Sequence, residues 1–470
     1  MSENQISLKK VFIITIPLSG HVNPIIQIAN VLINERKGIQ VVIYSTENYK
    51  NRIEKIGAEF RSYNGVSWHD MNFKLPFNRR VLITSQLIEK QLIIIDANLK
   101  RLTSDIKNEK PNLIFYEYQS IFAKYVLRFL NDYHGDAFVK SPSLLLFSTS
   151  FINDKNFYPN DRSNHYSGGI STNSTRLVRQ DTVKDTKIRF KSYQLSKKFN
   201  ISYKDPFKEI FEIDCNFENI VLTFPELQPR SHLYQKNNQF VGSCIRTLDE
   251  DNQMNSLIEK LIEPCLNTFP VQNPLKSKDD LNNLNKNKLV YVSLGEMFTD
   301  NMELYLTIIN AFKSSVEEDS TDGNLFVIVS VGEKCFEIFN EMLTNNELRL
   351  ANNMTIVPFV SQIEILKRAS LFITNSDLCS VSESIAYAVP MVCIPITNEQ
   401  LQVAYRVTTD LGLGVALDFL NLKSNEILYE VMNVLDDTSY NERCIRYSKI
   451  LAEYDGPKNA ADIIEKYMNS

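Results

Sequence analysis

The chain has 470 residues, 43% hydrophobic and 23% charged, which is typical of a soluble globular protein with two or three domains. A formal charge of -5 argues against a nucleic-acid-binding protein, because such proteins usually carry a basic domain. The seven cysteines include no C-x-x-C pair, so they indicate reduced thiols in a cytoplasmic protein rather than a disulfide framework. The sequence has no signal-peptide layout and no apolar run of about 20 residues, so we expect no transmembrane segment.

Short apolar runs alternate with helical patterns through the first half of the chain, which predicts a parallel sheet in an α/β fold. The predicted strands cover residues 11–17, 40–44, 58–63, 112–116, 143–148, 220–224 and 239–241, and the predicted helices cover 23–35 and 48–56. Residues 154–186 are polar and lack a period, so we expect a long surface loop of the kind that shapes a binding cleft.

Residues 264–288 contain three prolines and many Lys, Asp and Asn residues, the composition of a linker. After them the alternation restarts, with predicted strands at 289–293, 325–331, 354–357, 371–374 and 391–394 and predicted helices at 300–314, 336–344, 362–369 and 378–388. Two α/β halves joined by a linker favour a small-molecule site in the cleft between them.

Several segments, taken in order, resemble one known family. They are residues 20–24 (Gly-His-Val-Asn-Pro), 289–295, 357–366, 374–390, 399–400, 411–414 and the tail 456–467. In their order and spacing they resemble the GT-B-fold UDP-glycosyltransferases of family 1, in the soluble macrolide-type and sterol-type branch. The resemblance implies an α/β GT-B fold, in which two Rossmann-like, doubly wound domains face each other across a cleft.

The same resemblance implies how the chain is divided. Residues 1–250 would form an acceptor-binding domain, 251–288 the interdomain linker and 289–455 the nucleotide-sugar-binding domain. Residues 456–470 would form a last helix that crosses back to the first domain.

His21 follows the first predicted strand, at the strand end where ligands bind in open α/β sheets. A hydroxyl is a poor nucleophile, and a histidine whose pKa is near neutrality can take its proton. The family uses its histidine in this way, so the resemblance implies that His21 is the catalytic base. Glu117 stands where the family places a carboxylate, often Asp, that orients the base. The alternatives are a loop histidine that caps a helix and a strand-end carboxylate that faces solvent.

The resemblance places the donor nucleotide against the second half. Phe359 stands where the family has a tryptophan, and its ring can stack on uracil, although a core position is the alternative. Gln362 is expected to hydrogen-bond the nucleoside. Ser380 is expected to contact phosphate and Glu383 to bind the ribose hydroxyls, but Ser380-x-x-Glu383 also fits a helix capping box.

Three replacements change the expected phosphate site. Asn375 stands where the family has a histidine and keeps a hydrogen-bond donor without the charge. Asp377 replaces a glycine, and its carboxylate is expected to cap the following helix and to repel a diphosphate. Glu296, directly after Gly295 of the donor pocket, adds a second carboxylate. The donor phosphate motif is therefore degenerate, and we expect weakened binding of an ordinary UDP-sugar.

Glu399 and Gln400 match the acidic-Gln pair with which the family holds the hydroxyls of the donor sugar. The alternative is a solvated helix start after Pro395.

These features lead to one leading hypothesis about function. We expect an inverting transferase that moves a hexose from a UDP-sugar to a hydroxyl of a small lipophilic acceptor, without a metal ion or other cofactor. Its partners would be the nucleotide sugar and the acceptor. The alternatives are a catalytically degenerate GT-B protein that acts as a binding or partner subunit, and a transferase with an altered nucleotide-sugar donor.

Overall fold

The computed structural model describes residues 8–66, 83–134, 142–152, 182–213, 217–234, 236–245, 262–263, 268–269, 271, 287–295, 301–313 and 325–469. Within these residues the chain forms two parallel sheets, one from each half of the sequence. The predicted linker lies almost entirely outside the described residues.

The first sheet has the strand order of a Rossmann-like domain. Its strands are β1 (Lys9–Ile14), β2 (Ile39–Ser45), β3 (Glu59–Ser62), β4 (Leu113–Glu117), β5 (Ser143–Ser148), β6 (Asn219–Val221) and β7 (Asn238–Phe240). They pair in the order β3-β2-β1-β4-β5-β6-β7, and every pair is parallel. The direction of the order reverses between β1 and β4, and ligands bind at such switch points.

Strand β1 is apolar throughout its centre because alternate side chains enter two different cores. Phe12 and Ile14 pack into the core on one face of the sheet, while Val11 and Ile13 pack into the core on the other. None of the four side chains is exposed. A parallel sheet buried on both faces requires such continuous apolar strands.

Helices cover both faces of the first sheet. They are α1 (Ser19–Asn34), α2 (Lys50–Lys55), α3 (Ile83–Glu109), α4 (Ile121–His134), α5 (Thr182–Phe199) and α6 (Pro206–Glu209). The long helix α3 packs against both α4 and α5.

The second sheet repeats this arrangement. Its strands are β8 (Lys288–Ser293), β9 (Leu325–Ser330), β10 (Met354–Val357), β11 (Leu371–Thr374), β12 (Met391–Cys393) and β13 (Gly414–Ala416), in the order β10-β9-β8-β11-β12-β13. Its helices are α7 (Met302–Ala311), α8 (Glu333–Thr344), α9 (Gln362–Leu366), α10 (Leu378–Ala386), α11 (Asn398–Tyr405), α12 (Ser424–Asp436) and α13 (Thr438–Leu451).

The last helix, α14 (Gly456–Asn469), returns to the first half of the chain. Its buried residues Ala460, Ala461 and Ile464 pack in the same core as α1. The side chain of Asn459 donates to the carbonyl of Val241, 2.9 Å away, just after β7. The C-terminal helix is therefore part of the core of the first half.

Most predicted elements are confirmed, and the exceptions have physical reasons. Every predicted strand overlaps an observed one, whereas the edge strand β13 was missed because Gly412 and Gly414 resemble a loop. Helix α1 begins at Ser19 rather than at residue 23, so the prediction that His21 lies in a loop is wrong. The sequence patterns also left α3, α4 and α5 unassigned. Residues 182–186, expected in a loop, begin α5, and the preceding residues 153–181 lie outside the described part.

Candidate active site

A histidine and a glutamate meet where the carboxyl ends of β1 and β4 lie side by side. The first turn of α1 carries His21, and Glu117 is the last residue of β4. Nδ1 of His21 lies 2.5 Å from Oε1 of Glu117, the distance of a short charge-assisted hydrogen bond. The Glu117 side chain has no exposed surface, whereas the His21 side chain is 19% exposed. The pair combines a buried carboxylate with a partly accessible imidazole.

The Glu117 carboxylate is held at both of its oxygens. Oε2 accepts a hydrogen bond from the backbone N–H of Ile16, 3.3 Å away, in the segment that follows β1. Oε1 accepts a second hydrogen bond, from the hydroxyl of Thr149, which lies 2.6 Å away directly after β5. The same hydroxyl lies 2.8 Å from Nδ1 of His21. No sequence motif singled out Thr149, and the only signal was its position at the end of the strand next to β4.

The carboxylates around His21 control its protonation. Burial lowers the pKa of His21, but the adjacent Glu117 carboxylate raises it, with further contributions in that direction from Glu399 and Asp377. The resulting pKa is about 8. The imidazole is therefore mostly protonated at pH 7 and becomes available as a base above that pH.

Three of the predicted donor-binding residues form one hydrogen-bonded group. Nε2 of Gln362, the first residue of α9, donates to Oγ of Ser380 at 3.2 Å and to Oε2 of Glu383 at 2.6 Å. Ser380 and Glu383 do not form a capping box, because the N-cap residue of α10 is Asp377. Phe359 is 47% exposed, so it is not a core residue, and its ring face is available for stacking.

Asn375 and Gly295 lie against each other at the carboxyl ends of β11 and β8. The Asn375 side chain is 3% exposed, and its carbonyl oxygen accepts from the backbone N–H of Asp377 at 3.3 Å. Gly295 has a φ of +74°, and a Cβ there would lie 3.1 Å from Nδ2 of Asn375. Backbone conformation and space both favour glycine at this position. Glu296, expected beside this pocket, lies outside the described residues.

The first turns of α1 and α10 contact each other, which brings the two halves of the site together. The thiol of Cys379 donates to the backbone carbonyl of Gly20, 3.0 Å away. The helix leaves that carbonyl open because Pro24, four residues later, has no N–H to donate. A carboxylate oxygen of Asp377 lies 3.5 Å from the position that a Cβ on Gly20 would occupy.

Gln400 caps helix α11. Its Oε1 accepts from the backbone N–H groups of Ile396 and Thr397 at 2.9 Å and 3.1 Å, and its own backbone N–H donates to the Thr397 hydroxyl. This reciprocal pattern is a capping box. Gln400 is buried rather than solvated, while its neighbour Glu399 is exposed. The alternative interpretation as a helix start therefore describes Gln400, although its side chain is buried rather than solvated.

Comparison with known proteins gives a consistent result. Residues 323–463 match the family model described as UDP-glucoronosyl and UDP-glucosyl transferase. Over 458 residues the chain is 23% identical to the uncharacterized UDP-glucosyltransferase YojK of Bacillus subtilis and 26% identical to the NDP-glycosyltransferase YjiC of the same species. Both alignments cover 97% of this chain, and they cover 97% of YojK and 96% of YjiC. The chain is therefore similar to UDP-glycosyltransferases over nearly its whole length.

The fold of the chain is GT-B. The structure of the glycotransferase of kitacinnamycin aligns with a TM-score of 0.68 at 17% identity and covers 98% of this chain and 100% of that one. The calicheamicin glycosyltransferase CalG4 aligns with a TM-score of 0.64 at 19% identity and covers 98% of both chains. These neighbours confirm the predicted two-domain architecture.

A cavity that is open to solvent lies between the two halves of the chain. It is lined by Asn23, Pro24, Thr149, Leu222, Ser243, Cys244, Ile245, Leu378, Cys379, Ser382 and Glu383. The cavity therefore adjoins both the His21–Glu117 pair and the helix expected to bind the donor. None of the helices in the described ranges has the length and apolar content needed to cross a membrane.

The carboxylates of Asp377 and Glu399 also lie close enough to His21 to raise its pKa. Removal from bulk water raises the pKa of Asp377, while the nearby His21 lowers it. The backbone N–H groups of residues 378–380 also lower the pKa of Asp377, but in the described structure its carboxylate makes no capping hydrogen bond. Asp377 therefore occupies the expected N-cap position of α10, but the expected capping hydrogen bond is not formed.

Proposed function

We propose that this UDP-glycosyltransferase moves a hexose from a UDP-sugar to a hydroxyl group of a small lipophilic acceptor, with inversion at the anomeric carbon. His21 is the general base and Glu117 orients it. The observation that carries the proposal is the 2.5 Å contact between Nδ1 of His21 and the fully buried Glu117 carboxylate. The pair lies at the carboxyl end of the first sheet and beside the first turn of α10, so the base is close to the expected donor.

The proposed reaction uses the second ring nitrogen of His21. When Nδ1–H donates to Glu117, Nε2 has the free lone pair. It takes the proton of the acceptor hydroxyl while the acceptor oxygen bonds to the anomeric carbon. The bond from that carbon to the β-phosphate oxygen breaks, and its electron pair leaves with UDP. Attack opposite the leaving group inverts the configuration, and the Glu117 carboxylate stabilises the imidazolium that forms.

The donor nucleotide is proposed to bind in the second half of the chain. Phe359 stacks on the uracil ring, Gln362 hydrogen-bonds the nucleoside and Glu383 binds the ribose hydroxyls. Ser380, in the first turn of α10, contacts the diphosphate, because a helix N-terminus offers free N–H groups and a positive potential. The Asn375 amide, next to Gly295, adds an uncharged hydrogen-bond donor.

Glu399 and Gln400 are proposed to bind the donor sugar. Since Oε1 of Gln400 already accepts two backbone hydrogen bonds, Nε2 is the group that remains for a sugar hydroxyl. Glu399 is a hydrogen-bond acceptor on the same turn. We assign no metal ion or other cofactor to the reaction, since His21 supplies the base and α10 the positive potential. The first half holds the acceptor, and the protein acts in the cytoplasm.

A transfer assay with a matched control tests this proposal. The His21→Ala variant is expected to lose at least about 100-fold in kcat, the usual contribution of a general base, while its affinity for UDP stays nearly unchanged. His232, an exposed histidine far along the chain, provides the control, and His232→Ala is expected to keep full turnover. Undiminished turnover in His21→Ala would exclude His21 as the base.

A transferase with an altered nucleotide-sugar donor is the second candidate, and Asp377 favours it. Its carboxylate lies at the N-terminal end of α10, where a diphosphate would bind, and it makes no capping hydrogen bond there within the described structure. A donor panel in the same assay separates the candidates. Turnover with a UDP-hexose supports the first, and turnover only with a sugar on another nucleotide supports the second.

A further inference from the structure

Thr149 contacts both members of the His21–Glu117 pair, although it belongs to no sequence motif. Its side chain is 7% exposed, and its hydroxyl lies 2.6 Å from Oε1 of Glu117 and 2.8 Å from Nδ1 of His21. The two partners are themselves 2.5 Å apart, so the three polar atoms form a closed triangle.

The chemistry of the three groups fixes the direction of the hydrogen bonds. An ionised carboxylate only accepts, so the single hydroxyl hydrogen of Thr149 goes to Glu117. Nδ1 of His21 then faces two oxygens and no available hydrogen. A lone pair on Nδ1 would be repelled there, so the proton must reside on Nδ1. The arrangement therefore selects the tautomer in which Nε2 is free to act as a base.

The length of the Glu117 side chain makes such a contact necessary. A glutamate carboxylate is reached through one more rotatable bond than an aspartate carboxylate, so it can swing further. Here Oε2 is held by the backbone N–H of Ile16 at 3.3 Å, and Oε1 by the shorter bond from Thr149. Fixing both oxygens removes the additional torsional freedom before the acceptor arrives.

We propose that Thr149 is a positioning residue for the His21–Glu117 pair, holding the carboxylate and the tautomer of the base in place. This inference rests on the proposed function of His21. It differs from direct contact with a substrate, which the position of Thr149 in the cavity wall also permits. A positioning residue affects kcat and the titration of His21, whereas a substrate contact affects KM for the donor or acceptor.

The test replaces the hydroxyl while keeping the shape. In Thr149→Val the buried carboxylate loses one hydrogen bond, and kcat is expected to fall about 10-fold to 100-fold with KM for the donor unchanged. Because the carboxylate loses a hydrogen bond that partly offsets its charge, it attracts the imidazolium more strongly, and the acid limb of the pH profile moves to higher pH. Thr149→Ser, which retains the hydroxyl, is expected to restore both properties.

A second measurement does not depend on turnover. The chain has five histidines, so the ring proton signals of His21 can be assigned by comparison with His21→Ala and titrated by NMR. The titration is expected to move upward in Thr149→Val and to return in Thr149→Ser. Thr103→Val serves as the matched control, because Thr103 is also buried but bonds only the carbonyls of its own helix.

The outcomes separate this inference from the function on which it rests. If His21→Ala keeps full turnover, the proposed base is wrong whatever Thr149→Val does. If His21→Ala is inactive and Thr149→Val keeps both the wild-type kcat and the wild-type His21 titration, the positioning role is wrong. A raised KM with an unchanged titration overturns it equally and makes Thr149 a substrate contact.

Discussion

Two carboxylates approach His21 from opposite halves of the molecule, and their surroundings differ. Glu117, at the end of β4, is fully buried and accepts hydrogen bonds from a backbone N–H, a hydroxyl and the imidazole. Asp377, at the start of α10, is partly exposed, and its carboxylate makes no capping hydrogen bond in the described structure. Its pKa is raised by removal from water.

The two carboxylates differ in how well hydrogen bonds and opposite charge replace the water that they lose. A buried charge is stable only where hydrogen bonds and an opposite charge replace its hydration. Glu117 meets that condition through residues of the first half alone. Asp377 meets it only in part, at the position where a donor diphosphate would add further negative charge. The charge of Glu117 is therefore fully offset by its surroundings, whereas the charge of Asp377 would repel the proposed donor diphosphate.

The largest expected effect comes from removing the charge of Glu117. Glu117→Gln keeps the shape but takes away the partner of the imidazolium, so kcat is expected to fall about 100-fold to 1,000-fold. The pKa of His21 is expected to fall as well, because the carboxylate that raises it is gone. Steady-state kinetics across pH measures both. A Glu117→Gln variant with the wild-type kcat would show that the Glu117 carboxylate has no role in turnover.

The pH dependence of the wild-type protein tests whether His21, held by Glu117, is the base. Only neutral His21 can accept a proton, and its pKa of about 8 lies above neutrality. Activity should therefore rise with pH, and kcat/KM is expected to increase about tenfold between pH 7 and pH 9. A flat profile over that range would contradict the assignment of His21, since the free enzyme would then contain no group that titrates there.

Replacing Asp377 is expected to improve a property of the site, UDP binding, whereas replacing Glu117 impairs turnover. Asp377→Gly removes the carboxylate from the N-terminal end of α10 and is expected to tighten UDP binding about fivefold, the effect of roughly 1 kcal/mol of repulsion. Asp377→Asn keeps a good N-cap residue and is expected to give a similar gain through the loss of charge alone. Weaker UDP binding in both variants would make Asp377 a working part of the donor site.

The smallest expected effect concerns Gln400. Its capping box should contribute about 1 kcal/mol, so Gln400→Ala is expected to lower Tm by about 2–4 °C. Gln194→Ala, on the exposed face of α5, is the control and should leave Tm nearly unchanged. Equal Tm values for both variants would show that capping by Gln400 does not stabilise the protein. Sugar binding would then be the remaining role for this side chain.

The sequence predicted the parallel sheets well because buried strands leave continuous apolar runs, as in β1 and β8. It also identified His21 and Glu117, which the fold brings together from 96 positions apart. It could not find Thr149, because a single hydroxyl after a strand has no pattern and its role depends on which strand lies alongside. Nor could it show that Gln400 caps α11 or that Asp377 occupies the N-cap position of α10 without a capping hydrogen bond, since side-chain direction decides both.

We propose that the second half of the chain binds a nucleotide sugar despite the carboxylate of Asp377. Calorimetric titration of the purified protein with UDP and a panel of nucleotide sugars, with and without magnesium, tests it without knowledge of the acceptor. We expect micromolar binding of one UDP-sugar that does not depend on magnesium. Absence of binding to every nucleotide would contradict it and would favour a protein that keeps the fold and the His21–Glu117 pair but transfers no sugar.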